Sequence, residues 1–363
     1  MTRKHKIQRI GLITGGGDCP GLNAAIRAVT RAAINEHRWE VFGFLDGYEG
    51  LVEDRWTPLT SDRVSGIISR GGTMLGTSNR ADPFHYHLHN SKKTSNHVKD
   101  LLQTIKRHGL DGLVIIGGDG TLTSAAKLHK LGVPVVAIPK TIDNDLRGTD
   151  VTIGFNSALT IATDSIDRLH TTAEAHHRVM VVEVMGRYAG WIALRSGIAG
   201  GGDVILIPEI PYDPKCVAAT IERRLHHNRR FSIVVVAEGA HPKKGKMVVD
   251  HIDKKSPDPI RLGGIGKYVA NQLETAGYES RVTVLGHLQR GGTPTAFDRW
   301  IATQFGVKAV ETLASGQSGR MVAVQHGNII TIPLAQAVHK LHRVSPKGDE
   351  VRAAMAVGTS FGI

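Results

Sequence analysis

The chain has 363 residues, of which 41% are hydrophobic and 21% charged, a composition that excludes a disordered protein and suggests two domains. Its formal net charge of +12 indicates anionic partners, but the basic residues form no recognisable nucleic-acid-binding motif, so small phosphorylated molecules are favoured over nucleic acid. The two cysteines, the absence of an apolar leader and the absence of 18 consecutive apolar residues predict a cytoplasmic protein with no disulfide framework and no membrane partner.

Short apolar runs alternate with helical patterns along the first part of the chain. Strands are predicted over 10–14, 41–45, 113–116 and 135–138, and helices over 23–34 and 121–130. Continuous apolar strands that alternate with helices indicate a parallel sheet covered on both faces. Ligands of such sheets bind at the carboxyl ends of the strands, where Gly15-Gly16-Gly17-Asp18, Gly117-Gly118-Asp119-Gly120 and Pro139-Lys140-Thr141 lie.

A second series of the same kind predicts a second open sheet. Its strands are predicted over 179–184, 204–207, 233–237 and 282–285, with helices over 156–169 and 265–276. The segment 241–258 is rich in Lys, Gly and Pro and is predicted to be an exposed loop. The expected fold class is therefore α/β, with two Rossmann-like three-layer domains, mostly parallel sheets, and the active site in the cleft between them.

The turn Gly117–Thr121 is the first candidate site. Glycines after a strand let backbone N–H groups approach phosphates, and the helix that follows adds a favourable dipole. Asp119 is well placed to hold Mg²⁺ between donor phosphates. An ordinary capped turn is the alternative, and kinases of nicotinamide dinucleotide and of lipids share this motif. Gly15–Asp18 is a second phosphate-compatible turn; it lacks a P-loop pattern and a Rossmann acidic residue, which disfavours a dehydrogenase.

The turn Thr141–Asp145 supplies two carboxylates beyond the fourth predicted strand. A sugar hydroxyl that attacks phosphorus needs a carboxylate to accept its proton, and Asp143 is the candidate base. Asp145 would orient Asp143 or lie near the metal. An Asx-rich turn without catalytic function is the alternative.

Arginines mark both ends of two predicted strands. Arg178 and Met185 lie seven extended residues apart, about 23 Å, and Arg281 and His287 lie six apart, about 20 Å. Residues at opposite ends of one strand cannot bind the same small phosphate. If all of them bind ligand, Arg178 and Arg281 must serve a site on a neighbouring subunit; the alternative is that both are surface arginines.

Eight ordered motifs together resemble the phosphofructokinase family over nearly the whole chain. They are GLITGGGDCPGLNAAIRAV, RGGTMLGTSNR, GGDGT, PKTIDNDLRGTD, IGFNSAL, RVMVVEVMGRYAGW, VVVAEGA and RVTVLGHLQRGGTPTAFDR. The resemblance implies a cytoplasmic 6-phosphofructokinase of glycolysis that uses Mg²⁺ and a phosphate donor to phosphorylate the 1-hydroxyl of fructose 6-phosphate. It also implies a donor-binding domain over residues 1–154 and 289–339, and a sugar-phosphate-binding domain over 155–288 and 340–363.

The resemblance assigns roles to individual residues. The nucleotide would contact Gly17, Arg80, Gly118, Asp119, Gly120 and Thr121, with Asp119 on magnesium. Asp143 would be the proton acceptor, with Asp145 and Arg187 also catalytic. Fructose 6-phosphate would contact Thr141, Ile142, Asp143, Met185, Gly186, Arg187, Glu238, His287 and Arg290 within one subunit. Arg178 and Arg281 would reach the sugar phosphate of a neighbour in a homo-oligomer, either a dimer or a tetramer; arginine suits this task because its planar fork binds phosphate bidentately.

Two positions bear on the phosphate donor. Diphosphate-using members typically carry Asp where this chain has Gly120, and a carboxylate there would crowd and repel the α-phosphate of ATP. Lys140 points the other way, because diphosphate enzymes carry lysine before TIDND and the familiar bacterial ATP enzymes carry glycine. The combination resembles the mixed-substrate subgroup, many of whose actinobacterial-type members use ATP. ATP is therefore favoured over diphosphate as the co-substrate.

Overall fold

The computed structural model describes residues 7–87, 94–252, 260–338 and 340–363. Within these residues the strands are β1 (Arg9–Thr14), β2 (Glu40–Phe44), β3 (Trp56–Leu59), β4 (Tyr86–His87), β5 (Thr94–Ser95), β6 (Gly112–Gly117), β7 (Val135–Pro139), β8 (Val179–Val184), β9 (Val204–Leu206), β10 (Ser232–Ala237), β11 (Val249–Ile252), β12 (Ile260–Leu262), β13 (Ser280–Val284), β14 (Arg320–Gln325) and β15 (Asn328–Pro333). The α-helices are α1 (Leu22–His37), α2 (Tyr48–Glu53), α3 (Val98–His108), α4 (Asp119–Lys130), α5 (Phe155–His176), α6 (Trp191–Ala199), α7 (Pro214–His226), α8 (Ile265–Thr275), α9 (Ala296–Ala314), α10 (Leu334–Ala337) and α11 (Asp349–Ala356), and a 3₁₀ helix covers Gly286–Arg290.

The larger sheet has seven strands in the order β15-β14-β7-β6-β1-β2-β3. The strands from β14 to β2 are parallel, whereas the outer strands β15 and β3 run antiparallel to their neighbours. Every residue of β6 and β7 is buried, because helices cover both faces of the sheet. The carboxyl ends of β1, β6 and β7 therefore meet at one edge, where the three predicted turns lie.

The smaller sheet has four parallel strands in the order β13-β8-β10-β9. Its central strands β8 and β10 are buried along their whole length, and β13 forms one edge in the described part of the chain. The predicted α/β class with two mostly parallel sheets is thus confirmed. Each of the eight predicted strands begins and ends within two residues of the bounds of an observed strand.

One prediction about the second half is wrong. Val249–Ile252 forms β11 inside the segment predicted as a loop, and it pairs antiparallel with β12. A strand of four residues carries too little periodicity to stand out from the surrounding Lys, Gly and Pro residues. The rest of the predicted loop up to residue 252 is turn and irregular structure, and residues 253–258 lie outside the described residues.

Helices α5 and α9 connect the two halves of the fold. Thr295 caps α9, because its hydroxyl accepts a hydrogen bond from the N–H of Asp298. The buried Asp298 carboxylate in turn accepts from the N–H of Gly154 at 2.9 Å and from the N–H and hydroxyl of Ser157 at 2.7 and 2.6 Å. One side chain of α9 therefore accepts hydrogen bonds from the backbone N–H groups at the start of α5. Helix α5 begins shortly after the Thr141–Asp145 turn.

Candidate active site

The first wall of the site is formed by the turns after β1 and β6. The N–H of Gly15 donates to the carbonyl of Ile116 at 2.9 Å, which holds the two turns side by side. Thr121, in the first turn of α4, packs so closely that a Cβ on Gly15 would lie 2.7 Å from its methyl carbon. Close packing thus requires a small residue at Gly15.

Arg290 reaches the Gly-rich turn from the second half of the chain. Its Nη1 donates to the carbonyl of Asp18 at 3.1 Å, and a Cβ on Gly17 would lie 2.7 Å from that same nitrogen. A residue expected to bind the sugar phosphate therefore touches a turn expected to bind the nucleotide.

Lys140 lies beneath the same turn. Its side chain is buried, and its ammonium donates to the carbonyl of Gly17. Burial lowers the pKa of Lys140, and the adjacent Arg290 lowers it further, whereas the negative charges of Asp18 and Asp143 act in the opposite direction. Cys19 is itself fully buried, and burial raises its pKa to about 12, so its thiol is protonated and unreactive at neutral pH.

The N-terminus of α4 faces the open side of this wall. Gly118 precedes the helix, and burial raises the pKa of the Asp119 carboxyl in its first turn. A Cβ on Gly120 would meet no atom of the described residues within 4 Å, so its exposed face opens onto free space. Across the turn after β1, the carbonyl of Ser78 accepts from the N–H of Gly16 at 3.3 Å, and Arg80 follows as an exposed residue.

Asp143 lies at the centre of the site. Its Oδ1 is buried, and no hydrogen-bond partner for it exists among the described residues. Burial raises the pKa of Asp143, and the positive charges of Arg290, Arg187 and Lys140 oppose that shift. The backbone N–H of Asp143 donates to the Thr141 hydroxyl at 3.1 Å, which fixes the start of the turn. Unpaired buried carboxylate oxygens are costly, so this one is available for a ligand.

Three carboxylates share this region. Burial raises the pKa of Asp145 to about 7, and the like charges of Asp143 and Asp119 add to the shift. Within the described residues no group of three or more His, Cys, Asp or Glu side chains forms a metal site by itself. Mg²⁺ needs only one or two protein carboxylates when waters and substrate phosphates complete its shell, and the oxygen donors present here fit that ion.

The carboxyl ends of β8 and β10 form the opposite wall. Gly186 follows β8 with φ of 135°, a backbone conformation that favours glycine. The N–H of Met185 donates to Oε1 of the buried Gln289 at 3.4 Å. Glu238 follows β10, and burial together with the charge of Asp143 raises its pKa to about 7, against the opposing effect of Arg187.

Two further predicted residues differ in their exposure. His287 is exposed on the 3₁₀ helix, at the rim of this wall. The Ile142 side chain is only 1% exposed and belongs to the core, so a sugar could contact only its main chain.

Arg178 and Arg281 lie at the other end of the smaller sheet. They flank the amino ends of β8 and β13, where Arg178 precedes Val179 and Arg281 pairs in register with Met180. One carboxylate bridges them: Oε1 of Glu279 is 2.8 Å from Nε of Arg178 and 2.9 Å from Nη2 of Arg281. A whole strand therefore separates them from Arg187 and His287 of the same chain.

Sequence reasoning missed several residues that support the site. They include Asn144, Glu209, Gln289, Asp298 and His342, all with side chains that hydrogen-bond to neighbouring main chain. Asn144 adopts φ of 51°, and its Oδ1 accepts from the N–H of Thr152 at 2.9 Å. A polar residue between two functional ones was the only available signal for Asn144 and Gln289, and His342 carried none.

Known proteins resemble this chain closely. Residues 9–313 match the family described as Phosphofructokinase. An ATP-dependent 6-phosphofructokinase 2 of Clostridium perfringens is 51% identical over 98% of both chains. A pyrophosphate–fructose 6-phosphate 1-phosphotransferase of Streptomyces coelicolor is 49% identical, over 98% of this chain and 100% of the relative. The phosphofructokinase structure from Saccharomyces cerevisiae has a TM-score of 0.77 at 34% identity, over 91% of this chain and 45% of that one.

The family match covers most of the chain, and the full-length relatives share about half of its residues. The fold agrees with that match as well. The chain belongs to the phosphofructokinase family.

Proposed function

We propose that this protein is a 6-phosphofructokinase that transfers the γ-phosphoryl group of ATP to the 1-hydroxyl of fructose 6-phosphate, as in glycolysis. The single observation that carries the proposal is the buried, unpartnered Oδ1 of Asp143. The Asp143 carboxylate lies within electrostatic reach of Arg290, Arg187 and Asp145. The relatives named above support the same reaction class.

The reaction requires a base, a phosphate clamp and a positioned sugar. Asp143 would accept the proton of the 1-hydroxyl as its oxygen attacks the γ-phosphorus, and the charges of Arg290, Arg187 and Lys140 would favour its ionised form by opposing the rise in its pKa that burial causes. Arg187 would stabilise the charge that develops on the transferred group. Residues Thr141, Ile142, Met185, Gly186, Glu238, His287 and Arg290 would bind the sugar phosphate.

The donor would bind along the opposite wall. Gly17, Arg80, Gly118, Gly120 and Thr121 would contact its phosphates or nucleoside. Asp119 would hold Mg²⁺, with Asp145 near the metal or orienting Asp143. The ion would neutralise charge on the donor phosphates. The mutual repulsion of Asp119, Asp143 and Asp145, which contributes to the raised pKa of Asp145, favours a cation at this place.

A second candidate function differs from the first only in the phosphate donor. Lys140 lies beneath the Gly17 turn, and a relative named for pyrophosphate is 49% identical, which together support a diphosphate-dependent fructose 6-phosphate 1-phosphotransferase. ATP remains the better supported donor, because Gly120 opens onto free space that would accommodate the α-phosphate and the nucleoside beyond it.

A comparison of donors with two matched variants tests this choice. We expect the purified protein to phosphorylate fructose 6-phosphate with ATP and Mg²⁺ and to show little activity with diphosphate. Gly120→Asp and Gly120→Asn are of equal size, and both side chains enter open space, so neither should affect folding. Asp should reduce kcat/KM for ATP roughly 100-fold more than Asn, because like charges at close range cost several kcal/mol. Wild-type activity with diphosphate alone, or equal effects of the two variants, would refute the choice of ATP.

We also propose that the active unit is a homo-oligomer, a dimer or a tetramer, in which Arg178 and Arg281 complete the site of a neighbour. The strand geometry supports this: two copies of β13 that run antiparallel about a two-fold axis near Val284 would bring Arg281 close to the partner subunit's His287. Val284 and Leu288 are 57% and 69% exposed on this edge, and they line an open cavity of about 710 Å³ together with His287. Such apolar surface is typical of a covered interface.

The division into two domains and the cellular location are also proposals. The division into residues 1–154 with 289–339 and residues 155–288 with 340–363 is supported by sheet membership, because β14 and β15 complete the larger sheet after the chain has traversed the smaller one. A cytoplasmic location is also proposed. The described helices include none that is long and apolar enough to cross a membrane.

A further inference from the structure

A short irregular segment, residues 342–344, packs against the Thr141–Asp145 turn. The backbone N–H of His342 donates to the carbonyl of Asp145 at 2.7 Å, and its ring nitrogen Nδ1 is 3.2 Å from the carbonyl oxygen of Asn144. A carbonyl oxygen can only accept, so Nδ1 must carry the proton. One residue therefore holds two successive carbonyl groups of the turn that carries Asp143.

The same segment is anchored in the other half of the fold. The indole N–H of Trp191, the first residue of α6, donates to the carbonyl of His342 at 2.9 Å, and the two rings pack with centroids 4.7 Å apart. Two residues later, the N–H of Val344 donates to Oε1 of Glu209 at 2.9 Å. Glu209 also accepts from the N–H of Gly190, at the end of the loop 185–190 that carries Arg187.

The turn needs such support because its backbone is strained. Asn144 has a φ of 51° and is not a glycine, a conformation that costs on the order of 1 kcal/mol. Its side chain is used to hold Thr152 and Asp150, so it cannot also fix its own carbonyl group. The two carbonyl groups that His342 contacts belong to the peptide groups on either side of Asp145, and the first of these joins Asp145 to Asn144, the neighbour of Asp143. Holding them fixes the backbone that directs the Asp145 carboxylate and, through Asn144, the path of the turn after Asp143.

The imidazole is half-buried, which favours its neutral form. Burial lowers the pKa of His342, and the nearby Arg195 and Arg147 lower it further, whereas the Asn144 carbonyl and Asp150 act in the opposite direction. A neutral ring with its proton on Nδ1 is therefore the form present at neutral pH. This form satisfies the Asn144 carbonyl without adding a positive charge behind the carboxylates.

We propose that His342 is a positioning residue, which holds the carbonyl groups of Asn144 and Asp145 and so aims the carboxylate of Asp143 at the sugar hydroxyl. The expected effect on turnover rests on the proposed function. It does not require His342 to touch a substrate. Through Trp191 and Glu209 the same segment connects the turn that carries Asp143 to the loop that carries Arg187. The position of Asp143 relative to Arg187 is thereby held constant.

Two amide variants separate positioning from general packing. Nδ2 of an asparagine overlays Nδ1 of histidine, whereas the amide nitrogen of a glutamine overlays Nε2, so only His342→Asn keeps a donor for the Asn144 carbonyl. We expect His342→Ala and His342→Gln to lower kcat about 10- to 100-fold with the KM values for fructose 6-phosphate and ATP within about threefold, because small misplacements of reacting groups are costly. His342→Asn should recover most of the turnover, and Lys347→Ala, an exposed neighbour, should match the wild type.

Hydrogen exchange measured on peptides covering residues 143–152 supplies a readout that needs no catalysis. Exchange should be faster in His342→Ala and His342→Gln than in the wild type and His342→Asn, with similar melting temperatures for all four. Equal kcat for His342→Asn and His342→Gln, or unchanged exchange in His342→Ala, would overturn the positioning role. A wild-type protein that fails to phosphorylate fructose 6-phosphate would instead refute the proposed function, and the exchange comparison would still decide the role of His342.

Discussion

Asp143 combines two properties that rarely occur together in a purely structural residue. Its Oδ1 is buried without a partner, while three cations lie close enough to oppose the rise in its pKa. A carboxylate that served only the fold would be expected to satisfy both oxygens within the protein. The arrangement is costly in the free protein and becomes favourable when a hydroxyl group donates to that oxygen.

Replacement of this carboxylate isolates its chemical role. Asp143→Asn keeps the volume of the side chain and removes the proton acceptor, so kcat should fall about 10²- to 10⁴-fold while the KM for ATP changes little. Steady-state kinetics with the exposed Asp167→Asn as a control would measure this difference. Turnover within tenfold of the wild type would exclude Asp143 as the base.

At the scale of elements, α5 and α9 depend on one another through a single side chain. The Asp298 carboxylate serves three donors at the start of α5, and burial raises its pKa although the Ser157 hydroxyl and the N–H groups of Gly154 and Ser157 oppose the shift. The start of α5 follows the turn that bears Asp143 by only about ten residues in the printed sequence. The contact therefore stabilises both the helix and the backbone that leads into it.

Removal of the Asp298 carboxylate should destabilise the protein. Asp298→Ala leaves buried N–H groups of α5 without an acceptor, so the free energy of unfolding should fall by roughly 1–3 kcal/mol. Asp213→Ala is the matched comparison, because Asp213 caps α7 by accepting from the N–H of Lys215 in an exposed setting. Urea unfolding followed by circular dichroism would give both values. A loss at Asp298 no larger than the loss at Asp213 would contradict the connection described here.

At the scale of the whole molecule, the site is divided between two sheets and, by our proposal, between two subunits. Within one chain, Arg178 and Arg281 pair with Glu279 at the amino ends of their strands, whereas Met185, Glu238 and Arg290 lie beyond the carboxyl ends. No rotation of side chains spans a strand of about 20 Å. Both arginines can contribute to catalysis only through a second copy.

Mixed oligomers test that division. Arg281→Ala and Asp143→Ala should each be nearly inactive alone, since each removes one component of every site. Random mixing in a two-fold dimer should restore about a quarter of the wild-type activity, because half of the dimers are mixed and each has one intact site of two. Activity assays after subunit exchange, with native mass spectrometry to confirm mixed species, would measure this. Mixed species without any recovered activity would contradict shared sites.

Much of the site was predictable from the sequence because its residues follow strands. Gly15–Asp18, Gly117–Gly120 and Thr141–Asp145 come directly after apolar runs, and parallel strands bring their carboxyl ends to one edge of a sheet. The period and length of the apolar runs also determined the α/β class and the separation of Arg178 from Met185. These conclusions depend on patterns among residues close together in the sequence, which can be recognised without knowing the tertiary structure.

Only the tertiary structure revealed what supports those turns. Asp298, Glu209 and His342 act on backbone groups far away in the sequence, and hydrogen bonds from side chain to main chain leave no periodic pattern. The contact between Arg290 and Gly17 joins residues 273 positions apart, and the burial that shifts the pKa of Asp143, Asp145 and Glu238 exists only once both sheets are packed. The sequence by itself thus determined which chemistry the strand ends carry, whereas packing decided how that chemistry is aimed.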